Sequence, residues 1–382
     1  MSIDGTAASR TFKLLDPIEH FIFQSKLWKF LTVVAVLSMV RSGIWFIPNI
    51  GAQVLMSQDP FINPFNDPAL YLMWNWLGTF VAWLIGATSL RGFFLLHLTF
   101  SLLFSAGFAT LCVTRLQARD ARIAIVLFSL LPASFTSYLW VSYDSLTLLL
   151  MVCALATSRF LVLALAVGVL LGMQHFEQAF VATCAIAAAA LLRGQREREY
   201  STLWAFTLLA GVVLGRAALN GIYAYHGVHL VSGRVSWLDA NLKVVLWQFF
   251  YHSQPILWST LGLGWVLAIK AYDDGKSALS YMLPLLGIMM MMPLIGDQTR
   301  VFALSSFLLL SVYWLLNPKF LSGFSGRVVA ALFAVGNLMP VSWVWGGVAR
   351  WSAFPFDVAF VLHHFTTVFN VPADLGSWPF SF

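Results

Sequence analysis

Two carboxylates lie in a polar segment between the first two apolar runs of the chain, Asp59 and Asp67. Asp67 precedes Pro68 and then an apolar run, a pattern that predicts a helix capped by the aspartate and begun by the proline. A carboxylate fixed there, with Tyr71 four residues further on the same face, could act as a general base on an acceptor hydroxyl. The structural alternative is that Asp67 only caps the helix and that Asp59 only orders a turn.

A guanidinium and a carboxylate share a five-residue link between two later apolar runs, at Asp297 and Arg300. A guanidinium matches phosphate oxygens bidentately, and the helix start after the link also favours an anion. Arg300 is therefore a candidate for binding a phosphate. The alternative is a structural ion pair between Asp297 and Arg300.

A third pair of titratable residues, His175 and Glu177, lies in a short turn between two apolar runs. His175 could donate to a phosphate while Glu177 fixes its orientation and charge. A solvated turn is the alternative. The spacing is not a zinc motif because no second histidine lies four residues away, so the residues predict no metal ligand here.

Single ionisable residues mark the ends of other apolar runs. Asp144 begins one run, where it is either a helix cap or a site residue, and Arg350 follows the last run. Arg41 lies inside the first run and needs a carboxylate, carbonyls or a cavity. It could reach the same cavity as the other candidates.

The composition defines the environment in which these residues act. Of the 382 residues, 60% are hydrophobic and 10% are charged, whereas an ordinary soluble domain has about 25% charged residues. This composition excludes a soluble enzyme, a disordered protein and a nucleic-acid partner. It predicts an all-α, polytopic membrane protein whose main partner is the lipid bilayer.

The apolar runs predict about eleven membrane-spanning helices, several of them short enough to end at an internal cavity. The runs are Leu31–Ile50, Gly92–Thr114, Ile123–Tyr138, Ser145–Ser158, Phe160–Gln174, Phe180–Leu192, Leu203–Tyr223, Pro255–Tyr272, Leu279–Ile295, Val301–Leu316 and Val328–Val348.

A further run, Leu70–Leu90, is rich in tryptophan and could either span or lie in the membrane interface. Cytoplasmic loops carry an excess of Lys and Arg. If the run does not span, fifteen basic residues fall on one side of the membrane and five on the other. We therefore predict an interfacial run, a cytoplasmic N-terminus and an outward C-terminus.

This topology divides the chain into a cytoplasmic segment 1–30, a transmembrane domain 31–348 and an outer tail 349–382. Two long outer loops, 51–91 and 224–254, are too aromatic to be disordered and should contain interfacial helices. The same topology places all the candidate residues near the outer ends of different helices: Asp59, Asp67, Tyr71, Asp144, His175, Glu177, Asp297, Arg300 and Arg350.

The pattern resembles the GT-C superfamily of polytopic membrane glycosyltransferases. It is carried by one span, a long outer loop with an acidic residue and an interfacial helix, a series of short spans, and the local stretches Asp67–Tyr71 and Asp297–Arg300. The resemblance implies a polyprenyl-phosphate-linked sugar as donor and Asp67, or else Asp59, as the catalytic base. It also implies that Arg300 holds the lipid phosphate. We expect no soluble C-terminal domain and no repeated acidic metal ligands, which favours a metal-independent member, with a divalent metal left open.

The function expected from the resemblance is transfer of a sugar to a hydroxyl of a glycan, lipid or protein in the cell envelope. The outer face would be the periplasmic side of a bacterial inner membrane. A transporter, flippase or polymerase of lipid-linked saccharides is the alternative. Transporters often contain inverted repeats and midplane sites, whereas this chain shows no repeat and gathers its polar residues at one face.

Overall fold

The computed structural model describes residues 5–45, 47, 49–65, 67, 71–193, 200–231, 233–273, 276–352 and 354–357. These residues are mostly helical, as expected. The helices are α1 (Gly5–Gln24), α2 (Leu27–Ser42), α3 (Ile50–Gln58), α4 (Trp76–Leu84), α5 (Leu90–Arg115), α6 (Ala118–Leu130), α7 (Pro132–Leu139), α8 (Tyr143–Ala156), α9 (Leu161–Arg193), α10 (Thr202–Tyr225), α11 (Gly233–Tyr251), α12 (Ser253–Leu261), α13 (Trp265–Asp273), α14 (Lys276–Met290), α15 (Gln298–Leu310), α16 (Pro318–Ser322) and α17 (Gly326–Leu338).

Within the described part of the chain, α5, α9 and α10 are long and apolar enough to cross a membrane, with α9 counted as one helix across its break at His175. The number rises to five if two bent pairs each count as one crossing: α1 with α2, bent by 120°, and α6 with α7, bent by 56°. Eleven spans are not confirmed. Several predicted runs are divided into short helices; Pro255–Tyr272, for example, contains α12, a 3₁₀ turn and α13.

α9 contains a reversal of direction at His175, whose backbone is not helical (φ −159°, ψ 77°). Before the break, Gly168 contacts Gly211 and Gly172 contacts Gly215, so residues 161–174 run parallel to α10. After the break, the order is opposite: Phe176 lies beside Arg216, and the hydroxyl of Thr202 bonds the carbonyl of Ala190. The break separates the two runs predicted from the sequence, Phe160–Gln174 and Phe180–Leu192.

Four glycines allow the first arm of α9 to approach α10 at backbone contact. A Cβ on Gly168, Gly172, Gly211 or Gly215 would overlap backbone atoms of the facing helix. Small residues permit this close approach between apolar helices, where van der Waals packing replaces a hydrophobic driving force.

α8, α9 and α15 form the centre of the bundle. α9 packs against α8, α10, α14 and α15, and α5 covers α8. The residues of α8 and α15 are almost all buried, as expected for helices surrounded by protein rather than lipid or water. The first turns of these two helices therefore lie inside the molecule.

The predicted span Val328–Val348 is wrong in its second half. α17 ends at Leu338, before Pro340, and the chain continues as an antiparallel hairpin of β1 (Ser342–Trp345) and β2 (Val348–Trp351). A proline disfavours helix at the preceding residue. The two-residue turn consists of Gly346 and Gly347, both at positive φ (60° and 74°), as the tight hairpin turn requires.

The run Leu70–Leu90 contains a 3₁₀ turn, Tyr71–Trp74, followed by the nine-residue helix α4. At 1.5 Å per residue, α4 is roughly 13 Å long, against about 30 Å for a bilayer core. It is too short to cross, in agreement with the expectation that this run does not span. The segment 224–254, predicted to be an outer loop with interfacial helices, contains the helix α11.

Candidate functional site

The candidate site is centred on the guanidinium of Arg300, in the first turn of α15. Its Nε lies 2.8 Å from Oδ2 of Asp297, and its Nη1 lies 3.3 Å from Oδ2 of Asp144. Nη1 also donates to the hydroxyl of Tyr143 at 3.1 Å. The Arg300 side chain is 11% exposed. Two segments that are far apart in sequence, 143–144 and 297–300, thus meet around this guanidinium.

Asp144 depends on this cation. Its side chain is fully buried at the start of α8, where Oδ2 faces Nη1 of Arg300 and, within the described residues, Oδ1 has no hydrogen-bond donor. The predicted role of Asp144 as a helix cap is not observed, because α8 begins one residue earlier, at Tyr143. The ion pair with Arg300 is what compensates the buried charge.

The beginning of α8 is held by backbone and side-chain contacts. The backbone of Trp45 pairs with the stretch before α8, accepting from the N–H of Val141 at 2.8 Å and donating to the carbonyl of Tyr138 at 2.9 Å. The ring of Tyr143 stacks on the buried ring of His175, with centroids 5.2 Å apart. His175, a predicted site residue, therefore contacts the cluster through Tyr143.

Gln174 is a site residue that the sequence reasoning missed. Its Nε2 donates to the carbonyl of Tyr143 at 2.8 Å, and its Oε1 accepts from the N–H of Gly78 at 2.7 Å. The residue thus joins α4, α8 and the reversal of α9. The available signal was a glutamine at the end of an apolar run, since polar residues in such runs are costly and need a partner. Glu177 lies just beyond the reversal and is half-buried.

Of the residues predicted in the first outer loop, Tyr71 is the one that the structure places near the cluster. Its hydroxyl accepts from Nδ2 of Asn49 at 3.0 Å, and Tyr71 is close enough to Tyr143 to interact with it electrostatically. The predicted helical face shared by Asp67 and Tyr71 depends on residues 68–70, which lie outside the described ranges; Tyr71 begins a 3₁₀ turn.

Asp59 and Asp67 have different surroundings. Oδ1 of Asp59 accepts from the N–H of Phe61 at 3.0 Å, which is the turn expected as its structural role. The ring of Phe61 stacks on His226 at 4.7 Å and fixes the turn near the end of α10. Asp67 is exposed, and its carbonyl accepts from Nδ2 of Asn63 at 2.7 Å. Neither observation tests their predicted role as catalytic base.

The hairpin anchors the link that carries Asp297 and Arg300. The N–H of Val344 donates to the hydroxyl of Thr299 at 2.9 Å, and the N–H of Gly346 donates to the carbonyl of Gly296. Arg350, another predicted site residue, is half-buried on β2 and pairs across the hairpin with Trp343. Arg350 therefore belongs to the element that positions the link.

The cluster contains one guanidinium and two carboxylates, so its formal charge is −1 when both carboxylates are ionised. Burial raises the pKa of the Asp297 carboxyl, and the neighbouring Arg300 guanidinium opposes part of that shift. Within the described residues, no group of three or more His, Cys, Asp and Glu side chains could hold a metal ion.

No family model, no curated protein and no solved structure matches the chain.

Proposed function

We propose that the protein is a membrane glycosyltransferase that moves a sugar from a polyprenyl-phosphate donor to a hydroxyl of a glycan, lipid or protein acceptor. The reaction takes place at the outer, periplasmic face of a bacterial inner membrane, with about eleven chain crossings and a cytoplasmic N-terminus. Three to five of these crossings correspond to helices of suitable length and apolarity.

The observation that carries the proposal is the buried cluster of Arg300, Asp144, Asp297 and Tyr143. Ionisable residues in an apolar chain are costly, and they mark substrate or proton sites by default. The cluster supplies a guanidinium, which can stabilise the leaving phosphate of a phosphate-linked donor. The base for the acceptor hydroxyl would come from a carboxylate outside the cluster.

Arg300 retains hydrogen-bonding capacity for a phosphate. Its contacts with the two carboxylates and with Tyr143 use Nε and Nη1. Within the described residues, Nη2 makes no hydrogen bond or ion pair, which leaves two N–H donors of the guanidinium fork for a phosphate oxygen. The two carboxylates would then fix the plane of the fork rather than bind substrate.

The proposed reaction is a single displacement. The acceptor oxygen attacks the anomeric carbon and transfers its proton to a carboxylate, with Asp67 as the first candidate for the base and Asp59 as the second. The bond between the anomeric carbon and the phosphate oxygen breaks, and the lipid phosphate leaves as an anion that Arg300, with His175 near it, stabilises. No cofactor takes part, and a divalent metal is left open.

The test uses the purified full chain in sealed liposomes that contain radiolabelled polyprenyl-phosphate sugars, a panel of hexoses and pentoses, with membrane-glycan and lipid acceptors. We expect labelled product from one donor. Asp67→Asn should lower the rate by about 10²- to 10⁴-fold, the usual contribution of a general base. Asp239→Asn, which changes an exposed carboxylate in α11, should have the wild-type rate.

Arg300→Lys separates the proposed phosphate role from simple charge compensation, because lysine keeps the charge but loses the planar fork. It should lower transfer while the protein remains folded. If no donor yields product and a labelled donor instead crosses the bilayer, the protein is a transporter of lipid-linked saccharides and the proposal is wrong.

A further inference from the structure

Arg41 is a buried guanidinium outside the Arg300 cluster. It lies in the last turn of α2 and is 5% exposed. Its Nη1 donates to the carbonyl of Ser129 at 3.1 Å, and its Nε has no acceptor. Throughout the described ranges, no carboxylate lies within ion-pair distance of it. From the sequence, Arg41 could reach the same cavity as the other candidates, but none of those candidates lines the cleft beside it.

Arg41 lines a cleft with about 350 Å³ of empty space, counting its open mouth. Only about 30 Å³ of it lies out of the open mouth, which is room for one or two water-sized groups, so the cleft admits a small polar group rather than a whole ligand. α2, α6, α7 and α12 form the cleft together with the start of the hairpin. Its polar wall consists of Arg41, Ser259 and Ser342, and the remaining lining residues are apolar or glycine. The lining contains no acidic residue.

The hydrogen-bond donors of this wall are only partly used. The hydroxyl of Ser259 donates to the carbonyl of Ile256 and accepts from Thr299. The hydroxyl of Ser342 makes no hydrogen bond within the described part of the molecule. The carbonyl of Ser129 also accepts from the hydroxyl of Ser134, at 3.2 Å. The Ser129 carbonyl thus has another donor and does not need Arg41. Its hydrogen bond with Arg41 therefore does not explain why a cation is buried here.

We propose that the cleft beside Arg41 binds a phosphate group, with the guanidinium of Arg41 and the hydroxyl of Ser342 as donors. A buried cation with no charged partner is costly, and an oxyanion in the cleft would supply the missing charge and acceptors. The Arg300 cluster differs because two carboxylates already compensate its cation. The Arg41 cleft is thus the more strongly anion-attracting of the two sites.

The cleft borders the start of α15, on which Arg300 lies. Ser259 lines the cleft and accepts from the hydroxyl of Thr299 at 2.7 Å, one residue before Arg300. Assigning the phosphate to the lipid-linked donor or its product rests on the proposed function. Phosphate binding itself does not depend on the proposed function, because it is inferred from the positive charge and the hydrogen-bond donors of the cleft.

The test is a calorimetric titration of the full chain in detergent with two probes, inorganic phosphate and a short-chain prenyl phosphate. We expect binding to the wild type and a loss of about tenfold or more in affinity in Arg41→Gln. The matched control is Arg91→Gln, which removes one positive charge from the exposed start of α5. It should bind as the wild type does.

Ser342→Asp is the second variant, in case Arg41→Gln does not fold. It places a carboxylate in the cleft that should pair with Arg41 and reduce phosphate affinity by a similar factor. Wild-type affinity in Ser342→Asp, or equal affinities in Arg41→Gln and Arg91→Gln, would overturn the proposal, as would the absence of binding by either probe.

The two probes distinguish the source of the phosphate. Binding of prenyl phosphate alone supports a lipid headgroup, and equal binding of inorganic phosphate supports a site for free phosphate. The titration involves no sugar transfer. If the cleft binds phosphate but no donor gives product, the glycosyltransferase proposal fails and the cleft remains a phosphate site.

Discussion

Arg300 and Arg41 are both buried arginines, but their surroundings differ in charge. Arg300 contacts two carboxylates and a tyrosine hydroxyl, whereas Arg41 contacts one carbonyl and borders a cleft. Without the guanidinium of Arg300, its two carboxylate partners would be left with uncompensated negative charge. Arg41 contributes positive charge that nothing in the described chain compensates. Burial of the same side chain is therefore accompanied by charge compensation from fixed carboxylates in one region and by an uncompensated positive charge in the other.

The largest effect should come from removing the compensated cation. Arg300→Met leaves Asp144 and Asp297 buried side by side without a positive charge, and breaking a buried ion pair in this way costs about 3–5 kcal/mol. We expect a decrease of that size in the free energy of unfolding, measured by chemical denaturation in detergent. An unchanged midpoint would mean that the cluster is hydrated and that the comparison with Arg41 does not hold.

A smaller loss should result from removing the neutral hydrogen bonds behind the Arg300 cluster. Gln174→Leu leaves the buried N–H of Gly78 without its partner, at about 1–3 kcal/mol for an unsatisfied buried group, whereas the carbonyl of Tyr143 still accepts from the hydroxyl of Thr147. The same denaturation experiment measures the loss. Gln178→Leu, four residues further along α9 and also buried, serves as the matched control and should cost less, because the described contacts give its Oε1 no hydrogen bond.

The two carboxylates around the single guanidinium of Arg300 predict that the stability of the protein depends on pH. The folded-state pKa of Asp297 is raised by burial above its ordinary value of 3.8, so the folded state binds more protons than the unfolded state just above that pH. The stability contributed by this group is then lost as the pH rises through the raised pKa. Unfolding midpoints from about pH 4 to 7 should show this decrease in the wild type. Asp297→Asn should reduce it, and the remainder should come from Asp144, because burial raises the pKa of that carboxyl to about 6.

The smallest effect on stability should come from Arg41→Met. Replacing an uncompensated buried charge by an apolar side chain is neutral or stabilising, and Ser134 still bonds the carbonyl of Ser129. We expect the free energy of unfolding to stay within about 1 kcal/mol of the wild-type value. A loss as large as that of Arg300→Met would show that Arg41 has a hidden internal partner.

The sequence predicted the Arg300 cluster in part. Asp144, Asp297 and Arg300 were recognised because each lies at the end of an apolar run, where an ionisable residue is costly. That they meet, and that Tyr143 joins them, depends on α8 packing against α15, which no local pattern encodes. Gln174 was missed for the same reason: its two partners lie 96 and 31 residues away.

The long helices were predicted well because their apolar runs are long and uninterrupted. α10 was expected over Leu203–Tyr223 and extends over Thr202–Tyr225. The hairpin was missed because its residues are as apolar as a span, although Pro340 and the pair Gly346–Gly347 were local signals against a helix. A strand is usually recognised by alternating apolar and polar residues. In this segment most residues are apolar, so the alternation is not visible.

The reversal of α9 restricts how this part of the chain can change in evolution. A single residue, His175, separates the two arms, so there is no loop to absorb an inserted or deleted residue. Each residue added to a helix rotates the remainder of that helix by about 100°. An insertion there would turn either the amide of Gln174 away from α8 or the second arm away from α10. The length of this stretch should therefore be invariant among any relatives that share the fold, even where the residues themselves differ.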